Sequence, residues 1–529
     1  MTDGRGADSW APGRERQIVT VARNVSTRYL AIIVEIVIGL VLLPLNLAYL
    51  GPAEYGLWVL LGSVTIHFSL LDLGYAGALV KFMAHYRAHR DARALNEIAS
   101  TLFFVFLVIG LVAYALTIGV AFNLDHIFRV TPVQAETGKW ILTIIGLYVA
   151  LNFPFSVYGG VMAGFQRYDA NNFVAIVTSV VAALVNAAVL LAGGDLLTLV
   201  AATTGVRILA FFVYRLNAYR IFPDLRISLS RFRTSRLREV TGFSIYSSII
   251  DWANKLNYQL DEIVIGVFMG SASVAVYAVA ERIISGTQRL TNQLNGVLFP
   301  TVVDSDAGEH RERLQQILLQ GTRLSLAMVL PLAVTLILLA DPLLRVWLRD
   351  KATPTMLGAV PLIQILAVGV VIRVGNATGT TVLKGAGCHR MLAFVNLGTG
   401  LVNVALSIML IKPYGLVGVA WGTLIPIAFA SFFILYPAAC RRVGLSVRHG
   451  VVHSVWPAIW PAFVVIVLGY WVAQSPWSGT LLAVVMQAVA GGLLYLALFF
   501  SVAIGRRDRA LYTEKALEVL GRRGVPSAA

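Results

Sequence analysis

Stretches of about 20 apolar residues recur from one end of this chain to the other, and they constrain its fold more than any other feature. An α-helix, rising about 1.5 Å per residue, needs that length to cross roughly 30 Å of hydrocarbon. Unbroken runs such as Val174–Ala192 and Leu481–Val502 have it. A membrane β-barrel would instead show segments of about 10 residues with strict polar–apolar alternation. Composition agrees: of 529 residues, 58% are hydrophobic and 13% charged, whereas soluble domains carry about 25% charged residues. The chain is therefore read as an all-α integral membrane protein. Spans are expected at 29–50, 57–80, 98–122, 140–162, 172–192, 196–216, 241–268, 273–300, 317–340, 356–383, 391–411, 415–437, 451–472 and 480–504, about 14 helices. The first is too long for the apolar region of a signal peptide, contains Glu35 and lacks a small-residue cleavage site, so it is read as a span.

Orientation follows from the loops. Arginines crowd the N-tail (Arg5, Arg14, Arg16, Arg23, Arg28), the loop after span 2 (Arg87, Arg90, Arg93) and the loop after span 6 (Arg220, Arg226, Arg231, Arg233, Arg236, Arg238). They also crowd the loop after span 12 (Arg441, Arg442, Arg448) and the C-tail. The opposite connections hold few cations: Arg129, Lys139, Arg345, Arg349, Lys351 and Lys412. The imbalance, about 30 to about 6, places both termini in the cytoplasm. A net charge of +15 would suggest nucleic acid in a soluble protein. In a many-span chain it is what the positive-inside rule requires, so no nucleic-acid partner is expected. Outside connections are short, under about 20 residues, with no room for a folded extracytoplasmic domain. Cys388 and Cys440 fall in predicted cytoplasmic connections and imply no disulfide framework.

The chain also repeats itself. Leu184-Val185-Asn186 in the first half matches Leu401-Val402-Asn403 in the second, 217 residues later, and Leu50-Gly51 with Trp58 matches Met269-Gly270 with Tyr277. The expected organisation is a basic N-tail (1–28), a lobe of spans 1–6 (29–216), a basic linker (217–240) and a second lobe of spans 7–12 (241–437). Spans 13 and 14 (438–504) and a basic C-tail (505–529) follow. Two pseudo-symmetric six-helix lobes would place a substrate path at their interface. Within the C-tail, Asp508–Leu520 reads either as a surface amphipathic helix or as a frayed basic tail.

Charges inside spans are costly and therefore candidates for function. Span 7 carries Asp251, Lys255, Tyr258 and Glu262 at helical spacing, with Asp261 adjacent; span 8 carries Arg282, Arg289 and Gln293, with Glu281, Gln288 and Asn292 beside them. Arg207 lies near the middle of span 6, Arg373 within span 10, Glu35 within span 1 and Asp72 in the inner half of span 2. One reading is a water-filled cavity in which Arg207, Lys255, Arg289 and Arg373 meet an anionic headgroup, because the guanidinium fork donates paired hydrogen bonds to phosphate. Glu35, Asp72, Asp251, Asp261, Glu262, Glu281 and Arg282 are the accompanying polar or ion-coupling candidates. The alternative is structural pairing, such as Asp251 with Lys255 or Glu281 with Arg282. Lys81, Arg323 and Lys384 are expected to snorkel from helix ends.

Catalytic motifs are sparse. His85 and His89, like His449 and His453, have the i, i+4 spacing of metal pairs but lack the glutamate of H-E-x-x-H, and both pairs are read as solvated loop histidines. Lys384-Gly385-Ala386-Gly387 lacks the order of a phosphate-binding Walker loop. No catalytic residue, metal ligand or cofactor is expected. Energy is expected from a Na⁺ or H⁺ gradient, the membrane potential or the substrate gradient.

Three segments carry a family resemblance. They are Leu42-Leu43-Pro44 through Tyr49-Leu50-Gly51-Pro52-Ala53-Glu54-Tyr55-Gly56-Leu57-Trp58, then Asn257-Tyr258-Gln259-Leu260-Asp261-Glu262-Ile263-Val264-Ile265-Gly266 with Val276-Tyr277-Ala278, and Pro413-Tyr414-Gly415-Leu416-Val417-Gly418. Together with Leu70-Leu71-Asp72-Leu73-Gly74-Tyr75, they resemble the polysaccharide transport branch of the multidrug/oligosaccharidyl-lipid/polysaccharide (MOP) exporter superfamily, which includes O-antigen and exopolysaccharide repeat-unit flippases. The resemblance spans about 20 to about 505. It implies two MATE-like lobes, alternating access and movement of an undecaprenyl-diphosphate-linked saccharide from the cytoplasmic to the outer leaflet of a bacterial inner membrane. It also implies cations in the central cavity, membrane lipids, a polysaccharide polymerase and chain-length proteins as partners, and a role for spans 13 and 14 in holding the prenyl tail. The alternatives are a cation-coupled multidrug exporter, whose cationic substrates a cationic cavity would repel, and a flippase of lipid-linked peptidoglycan precursors. A membrane glycosyltransferase or polymerase would need an extracytoplasmic loop with catalytic acids, which the chain lacks.

Overall fold

The computed structural model describes residues 14–242, 252, 260–308, 310–473, 480–505 and 509, with side chains described for all of these except 14–22, 25, 289–297, 300, 307 and 471–473. The apolar runs form long helices: α1 (Arg14–His67), α2 (Tyr75–Ala88), α3 (Ala92–Phe122), α4 (Pro132–Gly164), α5 (Tyr168–Leu191) and α6 (Leu196–Ile221). After the linker come α7 (Asp261–Phe268), α8 (Ser271–Ala307), α9 (Arg311–Leu348), α10 (Ala359–Gly385), α11 (His389–Phe429), α12 (Tyr436–Val443), α13 (Trp456–Ala473) and α14 (Leu481–Leu498). Their starts are written in the sequence. Asp91 accepts from Ala94 N at 2.9 Å, Asp195 from Thr198 N at 2.9 Å and Thr480 from Ala483 N at 3.2 Å, each occupying a backbone donor that the first turn leaves open. Thr131 and Gln134 form a reciprocal capping box ahead of α4, with Pro132 at the first helical position.

Among the described residues, ten helices are long and apolar enough to cross a membrane. The expected count of about 14 differs for a physical reason. Two of the ten are 47 and 55 residues long, about twice the crossing length, and each is interrupted by a left-handed glycine: Gly51 (φ 75°) and Gly415 (φ 58°). Spans 1 and 2, and spans 11 and 12, therefore run together through a glycine corner rather than through a loop. Most of span 7, with Asp251, Lys255 and Tyr258, lies outside the described residues, as does most of the C-tail segment 508–520. Span 8 is α8, which mixes polar and apolar residues and is not among the ten.

The chain groups into two compact units, Met1–Arg282 with Asn396–Gly422, and Ile283–Val395 with Thr423–Ala529. In the first unit α4 packs on α2, α3 and α6, and α5 packs on α1 and α6. Leu79, Met83, Leu102, Phe106, Val157 and Met162 fill its core. In the second unit α9 packs on α10, α13 and α14, and Val302, Leu318, Val382, Tyr436 and Cys440 form a buried cluster. Cys440 thus sits in a helix core and not in a connection, because the helical run continues to Val443 before Gly444 ends it in left-handed backbone. Arg323 is likewise not at a helix end: α9 starts at Arg311, and Arg323 is buried twelve residues in. His85 and His89 sit at the end of α2 and His449 and His453 on a helical turn, all four exposed.

Outward faces are apolar. Leu184, Leu209, Met409, Phe433 and Leu482 are all more than 60% exposed. A water-facing surface rarely presents contiguous apolar area on this scale, so these side chains face lipid. The repeat also has a structural counterpart: Gly51 and Gly270 are both left-handed, and Asn186 and Asn403 are both buried.

Candidate functional site

Four helices of the first unit line an open cavity of about 450 Å³. Its walls follow helical spacing. Tyr148, Asn152, Phe155 and Gly159 lie along one face of α4; Asn171, Ala175, Thr178 and Ala182 along one face of α5; Arg207, Phe211 and Tyr214 along one face of α6. Glu35 of α1 closes the ring. Two charged candidates picked from the sequence, Glu35 and Arg207, therefore meet at one cavity.

Arg207 stands eleven residues into α6, about 16 Å from its start and so near mid-span. Its side chain is exposed to the cavity and has no ion-pair partner among the described residues. An arginine at mid-bilayer costs about 2.5–3.5 kcal/mol when inserted with a helix. The polar cavity wall lowers that cost. Asn171 Nδ2 donates to Gly159 O at 3.0 Å, and Tyr214 Oη donates to Asn171 O at 3.4 Å, while Asn171 Oδ1 is buried without a hydrogen-bond partner among the described residues. On the other side the wall is aromatic: Tyr148 and Phe155 both stack on Phe211, with ring centroids 5.4 and 5.2 Å apart. Such a wall presents a flat apolar surface beside a cation and hydrogen-bonding groups, a combination suited to an amphipathic anion. Sequence reasoning missed Tyr148, Asn152, Asn171, Thr178 and Ser179. Their signal, neutral polar residues at i, i+4 and i+7 in apolar spans, was present but weaker than that of a charge.

A second polar group in the same unit involves α1, α7 and α8. Asp261 is buried and accepts a 2.5 Å hydrogen bond from Tyr277 Oη. Glu262 lies beside Asp261, Glu281 and the Ser63 hydroxyl. The Arg282 guanidinium lies against Gly39, one helical turn from Glu35, where a β-carbon would come within 1.8 Å of its Nη2. Asp261, Glu262, Glu281 and Arg282 are thus brought together. Asp72 is placed elsewhere: its Oδ1 accepts from Ala76 N at 3.1 Å, in the first turn of α2.

In the second unit, Arg373 of α10 is half-buried and donates from Nη1 to Gln288 Oε1 of α8 at 2.7 Å. Arg289 lies on α8, with its side chain outside the described residues, and Lys255 lies outside them altogether. Lys384 sits in the last turn of α10 with its ammonium 5.7 Å from the Phe299 ring centre.

Residues 48–356 match the family described as polysaccharide biosynthesis protein. A curated relative, the "Probable flippase AglR" of Haloferax volcanii, is 20% identical over 499 residues, 92% of this chain and 97% of the relative. Among solved structures, the lipid II flippase MurJ in an inward closed conformation matches with a TM-score of 0.69 at 13% identity, covering 90% of this chain and 98% of MurJ. An inward-facing multidrug resistance MATE family transporter of the MOP superfamily matches with a TM-score of 0.61 at 16% identity, covering 79% and 96%. At such identities the structural matches establish a shared fold, that of MOP membrane transporters. With more than half of its length matched by the family, the chain belongs to the polysaccharide biosynthesis proteins.

Proposed function

We propose that this protein is a flippase that moves a polyprenyl-diphosphate-linked oligosaccharide from the cytoplasmic to the outer leaflet by alternating access. The observation that carries the reading is Arg207, a mid-membrane cation without an acidic partner among the described residues, on a polar and aromatic cavity. Membership of a polysaccharide biosynthesis family and the name of the AglR relative support it. Arg207, Lys255, Arg289 and Arg373 are assigned to the diphosphate, whose two negative phosphates need more than one guanidinium or ammonium partner. A second cavity of about 360 Å³, in the second unit, is lined by Leu338 of α9, Val465 and Leu468 of α13, and Met486 and Leu494 of α14. Its apolar wall suits the prenyl tail.

The protein acts as a transporter and not as an enzyme. The arginine distribution favours cytoplasmic placement of both termini, and the resemblance to repeat-unit flippases supports a bacterial inner membrane. A polymerase and chain-length proteins would take the flipped unit onward. Coupling to a Na⁺ or H⁺ gradient or to the membrane potential supplies direction. A flippase of lipid-linked peptidoglycan precursors, the kind of cargo named for MurJ, is an alternative reading within the same mechanism. A cation-coupled drug exporter is the second reading, favoured by the grouped acids Asp261, Glu262 and Glu281.

The test is reconstitution in liposomes with fluorescent polyprenyl-diphosphate glycans, including lipid II, scored by quenching from outside. Protein-dependent equilibration of the lipid is expected. Failure to move any such lipid under Na⁺, H⁺ or potential gradients, together with efflux of cationic dyes, would replace the flippase reading with the exporter one.

A further inference from the structure

The segment after α6 reads in the sequence as a basic tether. In the structure it is fastened to the first turns of α3. Asn96, Ser100 and Thr101 are polar side chains of α3 at most 3% exposed, and all three face the linker. Asn96 Nδ2 donates to Asp224 O at 2.9 Å, and Arg226 N donates to Asn96 Oδ1 at 2.5 Å. Ser100 Oγ donates to Arg226 O and accepts from Ser228 N, both at 3.2 Å, and Arg233 N donates to Thr101 Oγ1 at 3.0 Å. The linker backbone from 224 to 233 thus takes hydrogen bonds from a helix instead of from water, which fixes its course.

That course brings Arg93, Arg226, Arg231 and Arg233 to the wall of one cavity of about 450 Å³, beside Glu97 and Asp224. Four guanidinium charges face two carboxylates. Glu97 is already engaged by Arg93 at 3.0 Å, Arg236 at 3.3 Å and Arg233 at 4.0 Å. Arg226 and Arg231 have no ion-pair partner among the described residues, and neither does Asp224. A charge bias between loops explains why arginines are numerous here. It does not explain why buried side chains of α3 hold the loop so that three of its arginines join Arg93 of α3 at one cavity. The cavity lies at the arginine-rich start of α3, a helix long and apolar enough to cross a membrane, and the end of such a helix is where anionic headgroups are met.

The geometry points to a phosphate-binding site in this pocket, separate from the cavity around Arg207. Arg226 and Arg231 are its principal ligands, and Arg93 and Arg233 its supporting charges. The guanidinium fork matches phosphate oxygens. The phosphate belongs either to an anionic phospholipid in the adjoining leaflet or to a soluble phosphate ester. An occupied site adds an anionic clamp between linker and α3, tying the stiffness of the linker to its surroundings.

The experiment uses the full-length protein in nanodiscs and in detergent. Retained lipid is measured by native mass spectrometry with phosphatidylglycerol against phosphatidylcholine, and soluble inorganic pyrophosphate is titrated as competitor. The Arg226→Ala/Arg231→Ala variant breaks no ion pair. It is compared with Arg220→Ala/Arg238→Ala, which removes the same charge from exposed positions that do not line the pocket. General attraction of anionic lipid by a surface arginine is worth about fivefold or less and is lost by both variants. The pocket variant, which also loses charge-assisted hydrogen bonds worth about tenfold or more each, is expected to bind phosphatidylglycerol at least about thirtyfold more weakly than the control variant. Pyrophosphate protection lost in the pocket variant alone, without a change in lipid retention, would assign the site to a soluble phosphate. Equal losses in the two variants, or no loss of lipid or pyrophosphate binding in either, would overturn the proposal. Transport is not the readout, so failure of the flippase reading leaves this test intact.

Discussion

Replacing Arg207 by Ala is expected to stop transport without loosening the fold. Arg207 makes no ion pair among the described residues, so its removal orphans no carboxylate. An unpaired mid-span arginine is itself a cost of about 2.5–3.5 kcal/mol before cavity solvation offsets part of it. The net change in stability is therefore expected within about 1 kcal/mol of zero, with a slight gain as the favoured sign. Substrate engagement should behave differently. A hydrogen bond to a charged group contributes about 1.5–3 kcal/mol, which corresponds to a loss of about 10- to 140-fold for the diphosphate. Arg207→Lys keeps the charge and loses the fork, so it should fall between the two. The assay pairs the liposome flipping rate with the thermal midpoint of the same preparation. Wild-type flipping by the Ala variant would refute the cationic-cavity argument. A midpoint lowered by more than about 10 °C would refute it differently, by showing that Arg207 is a structural residue.

Tyr277→Phe leaves the buried Asp261 short of its 2.5 Å hydrogen bond and should lower stability by about 1–3 kcal/mol, seen as a reduced thermal midpoint in detergent. Asn96→Leu strands the Asp224 carbonyl and the Arg226 N–H and should release the linker locally; hydrogen–deuterium exchange is expected to rise across 224–233 while α4 stays protected. Asp195 caps α6, and its hydrogen bonds with Thr198 hold its carboxyl below the usual carboxylate range. The stabilisation is thus complete above the unfolded pKa of about 3.9 and lost as pH falls through the lower folded value. Asp195→Ala should reduce stability by about 1 kcal/mol at pH 7, and the difference from wild type should shrink in acid unfolding measurements.

Much of the architecture was legible because the bilayer penalises error so heavily. An unsatisfied backbone group in hydrocarbon costs several kcal/mol, so long apolar runs must be helices, and their ends are marked by Asp91, Thr131, Asp195 and Thr480. Intramembrane charge is rare for the same reason, which is why Glu35 and Arg207 stood out before their shared cavity was known. Neutral polar residues carry a smaller penalty. Tyr148, Asn152 and Asn171 therefore looked like ordinary variation within their spans until α4, α5 and α6 were seen to turn those faces toward one another.

The sequence by itself determined that the chain crosses a membrane repeatedly as helices and which ionised groups must be sheltered. Those are local consequences of hydropathy and backbone hydrogen bonding. Only the tertiary structure decided that Gly51 and Gly415 join spans through corners, that Cys440 lies in a core, and that Asn96, Ser100 and Thr101 hold a basic linker against α3. Each of these depends on contacts between residues distant in the chain, and helical periodicity says which face a residue occupies but not which partner that face will meet.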